Sequence, residues 1–468
     1  MALRRLCAHS AGTTAANARA VSELETTTCA LAIALAACSP HGGVPTSVDG
    51  GGTDGGRPVD GQPGVGTPSD ATTDVEPLDA PPASPRPASI TYPIGLRHSP
   101  IDTAIAARLQ AIVAGNAHEL AKVGDSITAD TNFFTCFDGG SVDLDGRTDL
   151  EDTRSYFLAG NVGGSSPFAR SSLAAIGGVT TQDILSGSPS PLSQEIAAID
   201  PQYAVIMLGT NDIRYGRSYD AFGADLWAIV DQTIAQGTIP ILSTMPPNNG
   251  DSSADARIPT ANLIVRAIAQ GRRIPFVDYY RELLPLPSRG ISSDGIHPSV
   301  SPSGACELNA AGLQYGYNVR NLVSLEALIR ARTAAGGTAL DGALAQPAGD
   351  GTAADPYLVT ASFVDLNDTR NRAMEMTAYP CNSRPQAGGE VVYRIDVGTA
   401  TTIDALVVDR GTTDVDVHIL QGTSSPQSCV AAGDHEASAT VSAGAVYIVV
   451  DSPGPGDGGE YLLVVQAR

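Results

Sequence analysis

The sequence predicts an α/β protein: a three-layer α/β/α doubly wound parallel sheet, followed by a small all-β sandwich domain. Two observations carry this. Between about Ile90 and Arg332, short apolar runs alternate with amphipathic helical stretches, the pattern of parallel strands joined by helical crossovers. Beyond Asp355 the helical periods stop, and short β-rich runs separated by Gly, Pro and Asp follow at sandwich-like spacing.

A chain of 468 residues has room for more than one such unit. The expected divisions are a lipoprotein-type signal peptide (1–38), a Gly/Pro/Asp-rich disordered linker (39–89), a catalytic α/β domain (90–332), a second linker (333–354) and a β-sandwich accessory domain (355–468). A formal charge of -22 leaves no basic surface to replace phosphate counterions, so nucleic acid is not an expected partner. Lys122 is the only lysine, which reads as genomic base composition rather than chemistry.

In the leader, Arg4, Arg5 and Arg19 precede a short apolar run from Cys29 to Ala37. A bilayer span needs ~20 apolar residues, so this run has the length of a signal peptide instead. Leu35-Ala36-Ala37-Cys38 resembles the lipobox of bacterial lipoproteins, which implies cleavage before Cys38 and acylation of its thiol. Ordinary secretion, with Cys38 incidental, is the alternative. From Ser39 to about Ser89 almost no large apolar residue occurs, too few to offset the entropy of ordering. That stretch should be a tether holding the folded part off a membrane.

In the α/β region the strand candidates are Glu119–Val123, Tyr203–Leu208, Ile239–Ser243 and Ile274–Asp278, and the clearest helix is Tyr219–Gln236, stopped by Gly237. In such sheets catalytic groups belong at the carboxyl ends of strands. Gly124-Asp125-Ser126 follows the first strand and Gly209-Thr210-Asn211-Asp212 the second. Asp294-Gly295-Ile296-His297-Pro298 comes late in the region. Alone, each motif reads as a helix cap, a turn or a surface pair.

Together, in this order, they resemble the SGNH (GDSL) hydrolases, over roughly Ile90–Arg332. The resemblance implies a flavodoxin-like sheet, with Ser126 as nucleophile and with His297 and Asp294, three residues apart, completing the catalytic set. It also implies an oxyanion hole from the Ser126 N–H, the Gly178 N–H and the Asn211 side-chain amide. Gly178 is placed by Ala175-Ile176-Gly177-Gly178-Val179-Thr180, although Gly177 stands where the family usually has serine.

The chemistry asks for these residue types. A serine hydroxyl needs a base to take its proton, and histidine, with an ordinary pKa of ~6.5, can do so at neutral pH. An aspartate fixes the imidazole tautomer and stabilises the imidazolium formed during attack. The developing oxyanion needs donors already in place. No cofactor and no metal is expected for this route.

Other features are less specific. Phe133, Phe134, Phe137, Tyr156 and Phe157, in the unassigned stretch 131–176, could line an acyl or aglycone pocket or form local core. The acidic run 141–152 partly follows an EF-hand spacing, but Ser141 and Asp152 stand at its first and twelfth positions, so a solvated loop is expected. In the C-terminal region the strand candidates are Val391–Val397, Ile403–Val408, Val415–Leu420, Ala445–Val450 and Tyr461–Val465. Asp414–Leu420, Val441–Asp451 and Gly459–Val465 resemble the bacterial pre-peptidase C-terminal domain, which implies an accessory role.

Of the seven cysteines, Cys7, Cys29 and Cys38 lie in the leader and Cys136, Cys306, Cys381 and Cys429 in the body. None of the body cysteines forms a CxxC pair, which suits disulfides in an oxidising compartment better than zinc. Cys136 follows Ser126 by ten residues and Cys306 follows His297 by nine. If Ser126 and His297 meet, those cysteines can meet, leaving Cys381 to pair with Cys429; unpaired thiols are the alternative.

The expected function is hydrolysis of carboxylic esters, acyl groups on carbohydrate or small lipid-like esters, by a secreted or surface-anchored bacterial enzyme. Acyl transfer by the same residues and non-catalytic binding are the competing classes.

Overall fold

The computed structural model describes residues 84–139 and 141–468. The expectations for the leader, for Cys7, Cys29 and Cys38, and for nearly all of the first linker lie outside the described residues. The parallel sheet forms where the sequence is most continuously apolar. Its strands are β1 (Asn116–Gly124), β2 (Pro201–Met207), β3 (Ile239–Ser243) and β4 (Phe276–Val277), paired in that order and all parallel. Helices cover both faces, so β2, β3 and β4 read as mostly apolar runs rather than as alternation, while β1 also buries Glu119 and Lys122.

At the end of β1, Gly124 donates its N–H to the Ala174 carbonyl (2.9 Å) and accepts the Ile176 N–H (3.1 Å). This short parallel contact adds the 174–176 segment on the edge of β1 away from β2. The order reverses there, so the sheet is doubly wound, and its switch point lies at the carboxyl end of β1.

The helices are α1 (Thr103–Ile112), α2 (Ser126–Ala129), α3 (Thr148–Leu158), α4 (Thr181–Leu185) and α5 (Pro191–Ile199). They continue as α6 (Thr210–Arg214), α7 (Tyr219–Ala235), α8 (Ser252–Arg272), α9 (Tyr279–Leu283) and α10 (Gly316–Ala335). One layer joins α1, α3 and α10; the other joins α4, α5, α7 and α8. Local chemistry sets the ends: the Ser218 side chain caps α7 at the Ala221 N–H, and Gly237, at φ +76°, ends it.

The stretch 131–176 contains α3 and an aromatic core. Phe133, Phe134, Phe137, Phe157 and Phe168 are fully buried and pack ring against ring, so of the two readings of these side chains local core is the one observed. In the acidic run, Asp143 accepts from the Asp145 N–H and from Asn309, and Asp149 pairs with Arg147.

Beyond α10 the chain is tied down. Leu340 and Asp341 donate N–H bonds to the Ile101 carbonyl, and Ala345 accepts from Thr91. Two antiparallel sheets follow, built from β5 (Tyr357–Leu358), β6 (Phe363–Asp368), β7 (Glu390–Val397), β8 (Thr401–Val408) and β9 (Asp416–Gln421). The remaining strands are β10 (Cys429–Gly433), β11 (Glu436–Val441), β12 (Gly444–Asp451) and β13 (Glu460–Ala467). The sheet orders are β10-β9-β12-β7-β5, in which short β5 runs parallel to β7, and β11-β8-β13-β6.

The second of these sheets is buried on both faces. Ile403, Ala405 and Val407 of β8, with Leu463 and Val465 of β13, face the sandwich interior. The alternate residues Leu406, Val408, Leu462 and Val464 join the core of the α/β region. They meet α7 and α8, where glycines allow close approach: a Cβ on Gly271 would lie 2.3 Å from Leu366 Cβ, and one on Gly223 would lie 3.0 Å from Val408. Both body disulfides form, Cys136–Cys306 and Cys381–Cys429, each with a Cα separation of 5.7 Å.

Candidate active site

Ser126 is the first residue of α2, directly after β1. Gly124 is required there by space, since a Cβ would fall 2.1 Å from Thr128 Oγ1 and 2.7 Å from the Met207 carbonyl oxygen. Asp125 caps the short helix by accepting the Ile127 N–H at 3.0 Å. Its carboxyl is fully buried, and burial pushes it up to about 6. Arg320, reaching from α10, donates to the Ile127 carbonyl (2.6 Å) and to Thr128 Oγ1 (2.8 Å). Its guanidinium lies 3.7 Å from the centre of the Phe133 ring. The helix that carries the serine is thus clamped from behind by a buried cation.

His297 and Asp294 share a tight loop closed by the Ser292 N–H on the His297 carbonyl (2.8 Å). His297 Nε2 is 3.0 Å from Ser126 Oγ, and its Nδ1 is 2.7 Å from Asp294 Oδ2. The other oxygen, Asp294 Oδ1, accepts from the Ser292 hydroxyl and from the Ile296 and His297 N–H groups at 2.8–3.0 Å. Burial pushes the Asp294 carboxyl up, but these bonds and the imidazole outweigh it and hold it well below the usual carboxylate range. It is fixed as an anion facing the imidazole.

Asn211 lies in the first turn of α6, buried to 6% exposure. Its amide donates one hydrogen to the Val179 carbonyl at 2.9 Å, which leaves the second for another acceptor. The glycine segment sits beside the serine: the nearest atom to a Cβ on Gly177 would be Ser126 Cβ, at 3.9 Å. Gly178 has φ +83° with open space where a side chain would be, and neither its N–H nor that of Ser126 is taken up by another group among the described residues. Of the five sequence-derived positions, Ser126, Asp294 and His297 are linked directly, and the Asn211 amide bonds the carbonyl of Val179, the residue after Gly178.

Two supporting groups were not read from the sequence. Asp212, fully buried, accepts from the Thr181 N–H (3.0 Å) and hydroxyl (2.6 Å) and pairs with Arg217, joining the glycine segment to α6. On the opposite side, Arg289 donates to Asn249 Oδ1 (2.8 Å) and to Asp255 (2.8 Å), and the Asn249 and Gly250 N–H groups bond the Gly295 carbonyl. Ser288 and Arg289 hold left-handed backbone, φ 50° and 53°, in doing so. The Asp212–Arg217 spacing could have suggested the first group; the second joins three separate loops and leaves no local pattern.

A serine, a histidine and an aspartate linked in this order at the switch point of a parallel sheet have the constellation of a serine hydrolase. Residues 123–301 match the model of the GDSL-like lipase/acylhydrolase family. The match spans the segment that carries the site, and the protein is an ester-hydrolysing enzyme.

Among solved structures, a GDSL-like lipase from Bacteroides thetaiotaomicron is similar at 18% identity and a TM-score of 0.31, over 48% of this chain and 96% of that one. An acetylxylan esterase from Geobacillus stearothermophilus is similar at 19% identity and 0.31, over 46% and 95%. A lipase/acylhydrolase from Enterococcus faecalis is similar at 20% and 0.30, over 44% and 93%. No curated protein matches the chain.

Proposed function

We propose that the protein cleaves carboxylic esters through a Ser126 acyl-enzyme, with His297 as base and then acid and Asp294 holding its tautomer. The observation that carries this is the unbroken link Ser126 Oγ–His297 Nε2 and His297 Nδ1–Asp294 Oδ2, at 3.0 and 2.7 Å. In attack, the Ser126 hydroxyl proton passes to Nε2 as Oγ bonds to the acyl carbon. The oxyanion is received by the Ser126 and Gly178 N–H groups and the free hydrogen of the Asn211 amide. Collapse expels the alcohol, protonated by His297, and water then resolves the acyl-enzyme by the same steps in reverse roles.

The acid–base loop is exposed to solvent. The Asp294 side chain is 50% exposed and that of His297 35%, which supports an acyl group carried on a carbohydrate or on a small lipid-like ester. The decisive experiment is Ser126→Ala assayed on a chromogenic acetyl ester and on acetylated oligosaccharide. Turnover should fall by orders of magnitude with the fold unchanged. A residual rate within about tenfold of the parent would remove Ser126 from this role. Acid release in water, against acyl transfer to an added sugar, separates hydrolase from transferase.

The Leu35–Cys38 sequence supports export and acylation at Cys38, and two body disulfides suit the oxidising space outside the cytoplasm. Cys38→Ser should then release the protein from membranes. The β-sandwich would serve in this setting as a stabilising or surface-binding accessory. Among the described residues no helix is long and apolar enough to cross a membrane.

A further inference from the structure

Far from Ser126, a cavity of about 380 Å³ opens between α1, the C-terminal end of α8 and the segment 86–89. Four arginines line it: Arg86, Arg108, Arg272 and Arg273. Two carboxylates stand nearby, and both are already engaged. Glu460 pairs with Arg86 and with Arg272 (2.8 Å). Asp231 pairs with Arg272 (2.7 Å) and with Arg410 (2.6 Å). Arg86 and Arg272 are thus both committed to carboxylates, whereas Arg108 and Arg273 make no side-chain hydrogen bond or ion pair among the described residues.

This runs against the composition of the chain, which has 50 acidic residues to 28 basic ones. Arg272 and Arg273 close α8, where a cation complements the helix carbonyls. Arg108 lies in the interior of α1 and has no such reason. Burial first, then Arg272 and Arg273 close by, lower its guanidinium below the ordinary arginine value, although the nearby Asp231 acts the other way. Like charges gathered in a half-enclosed space repel unless an anion joins them, and planar guanidiniums are the groups that recognise carboxylate and phosphate oxygens in pairs.

We propose that this cavity is a binding site for a small oxyanion group, a phosphate or a carboxylate, held by Arg108 and Arg273 with Arg86 and Arg272 behind them. The 21 residues of α8 separate it from the Asn249–Gly250 loop by on the order of 30 Å of helix, so it is not an extension of the ester site. In its lining, Gln270 Oε1 accepts the Tyr92 N–H (2.9 Å) and its amide donates to the Val364 carbonyl (2.8 Å). The anion would stand where α8, α1 and the strand segment entering from residue 86 converge, beside β6 and β13. A ligand here would be lined by residues 86–89, α1, the end of α8 and Gln346, beside the seam with the β-sandwich.

The test is calorimetric titration of the full-length protein with inorganic phosphate, repeated with citrate and with glucuronate, against chloride at matched ionic strength. At least one oxyanion should bind saturably where chloride does not, and the series tells phosphate from carboxylate. Arg108→Gln and Arg273→Gln, each checked for unchanged esterase turnover as evidence of folding, should weaken binding by about tenfold or more, the loss expected for one charged hydrogen-bonding partner. Binding should persist in Ser126→Ala, which separates this site from the ester site. No saturable binding of any of the three probes, or equal binding by parent and both arginine variants, would overturn the proposal.

Discussion

A Cβ on Gly295 would lie 2.6 Å from the backbone nitrogen of Gly250. The same nitrogen donates to the Gly295 carbonyl at 3.1 Å, beside the Asn249 bond at 2.8 Å. Gly295 sits between Asp294 and His297, at φ +80°, so both its conformation and its contact demand glycine.

Gly295→Ala should therefore displace the acid–base loop while leaving the sheets intact. A shift of about 1 Å in a reacting group can cost ~10²-fold in rate, so kcat should fall by that order with a smaller change in KM. Parallel thermal melts would check that the fold survives; a normal kcat would mean the loop does not set the position of His297.

Asn211→Ala removes one oxyanion donor and leaves the Val179 carbonyl without its partner. Turnover should fall by about 10²–10³. Substrate binding should change much less, because the contact belongs to the transition state. Steady-state kinetics on one ester decide it, since an effect confined to KM contradicts the assignment.

Cys136 and Cys306 close a span of 170 residues that contains Gly178, Asn211, Asp294 and His297 and begins ten residues after Ser126. Replacing both with serine should lower stability by ~3–5 kcal/mol in the chain-entropy model. Denaturant unfolding of parent and double variant, with and without reductant, measures this. The parent in reductant should approach the variant, and non-reducing peptide mapping should recover the Cys136–Cys306 peptide.

Asp451 and Glu390 lie opposite each other in register on β12 and β7, both buried. Burial pushes Asp451 up to about 8, against the hydrogen bond from the Tyr379 hydroxyl, and Glu390 up to about 7. Because the folded values lie above the unfolded ones, the contribution is complete below about pH 4 and is lost as pH rises through 7 to 8. Glu460 and Glu326 run the other way: burial raises them, but arginine partners, with His98 at Glu326, hold both at about 2, and their contribution is lost as pH falls toward that value. Melting temperature should therefore decline from pH 5 to 9, and Asp451→Asn should flatten that decline. Parallel curves for parent and variant would show that Asp451 is not responsible.

Deleting residues 355–468 should expose the apolar side of α7 and α8 that Leu366, Leu406, Val408, Leu462 and Val464 now cover. Exposed patches of this kind favour aggregation, so soluble yield should drop sharply. A truncated form that is monomeric and melts with the parent would contradict a shared core.

What the sequence disclosed follows from where each signal resides. β2, β3 and β4 were readable because burial on both faces leaves them mostly apolar, and Ser126, Asn211, Asp294 and His297 because each sits in a contiguous motif; β1, with buried Glu119 and Lys122, gave a weaker signal. The helix α10 was not, since it is buried around much of its circumference and carries Asn318, Arg320 and Asn321 inside, which erases any apolar stripe. β10 and β11 have few large apolar residues and lie on sheet edges. β6 reads Phe-Val-Asp-Leu-Asn-Asp, with Asp365 satisfied by Tyr393 and Ser89 from distant parts of the chain. Arg289 and Asn249 act by joining loops far apart in sequence, information that a linear pattern does not contain.

The sheet containing β8 and β13, enclosed between the sandwich interior and the helices, also constrains the order of assembly. α7 and α8 are complete in the nascent chain well before β13 is made. Until β13 arrives, those helices have an uncovered apolar side, and β8 lacks a neighbour on one edge. β13 therefore closes two cores in one event, and a chain interrupted before β13 is left sticky at its centre rather than merely frayed.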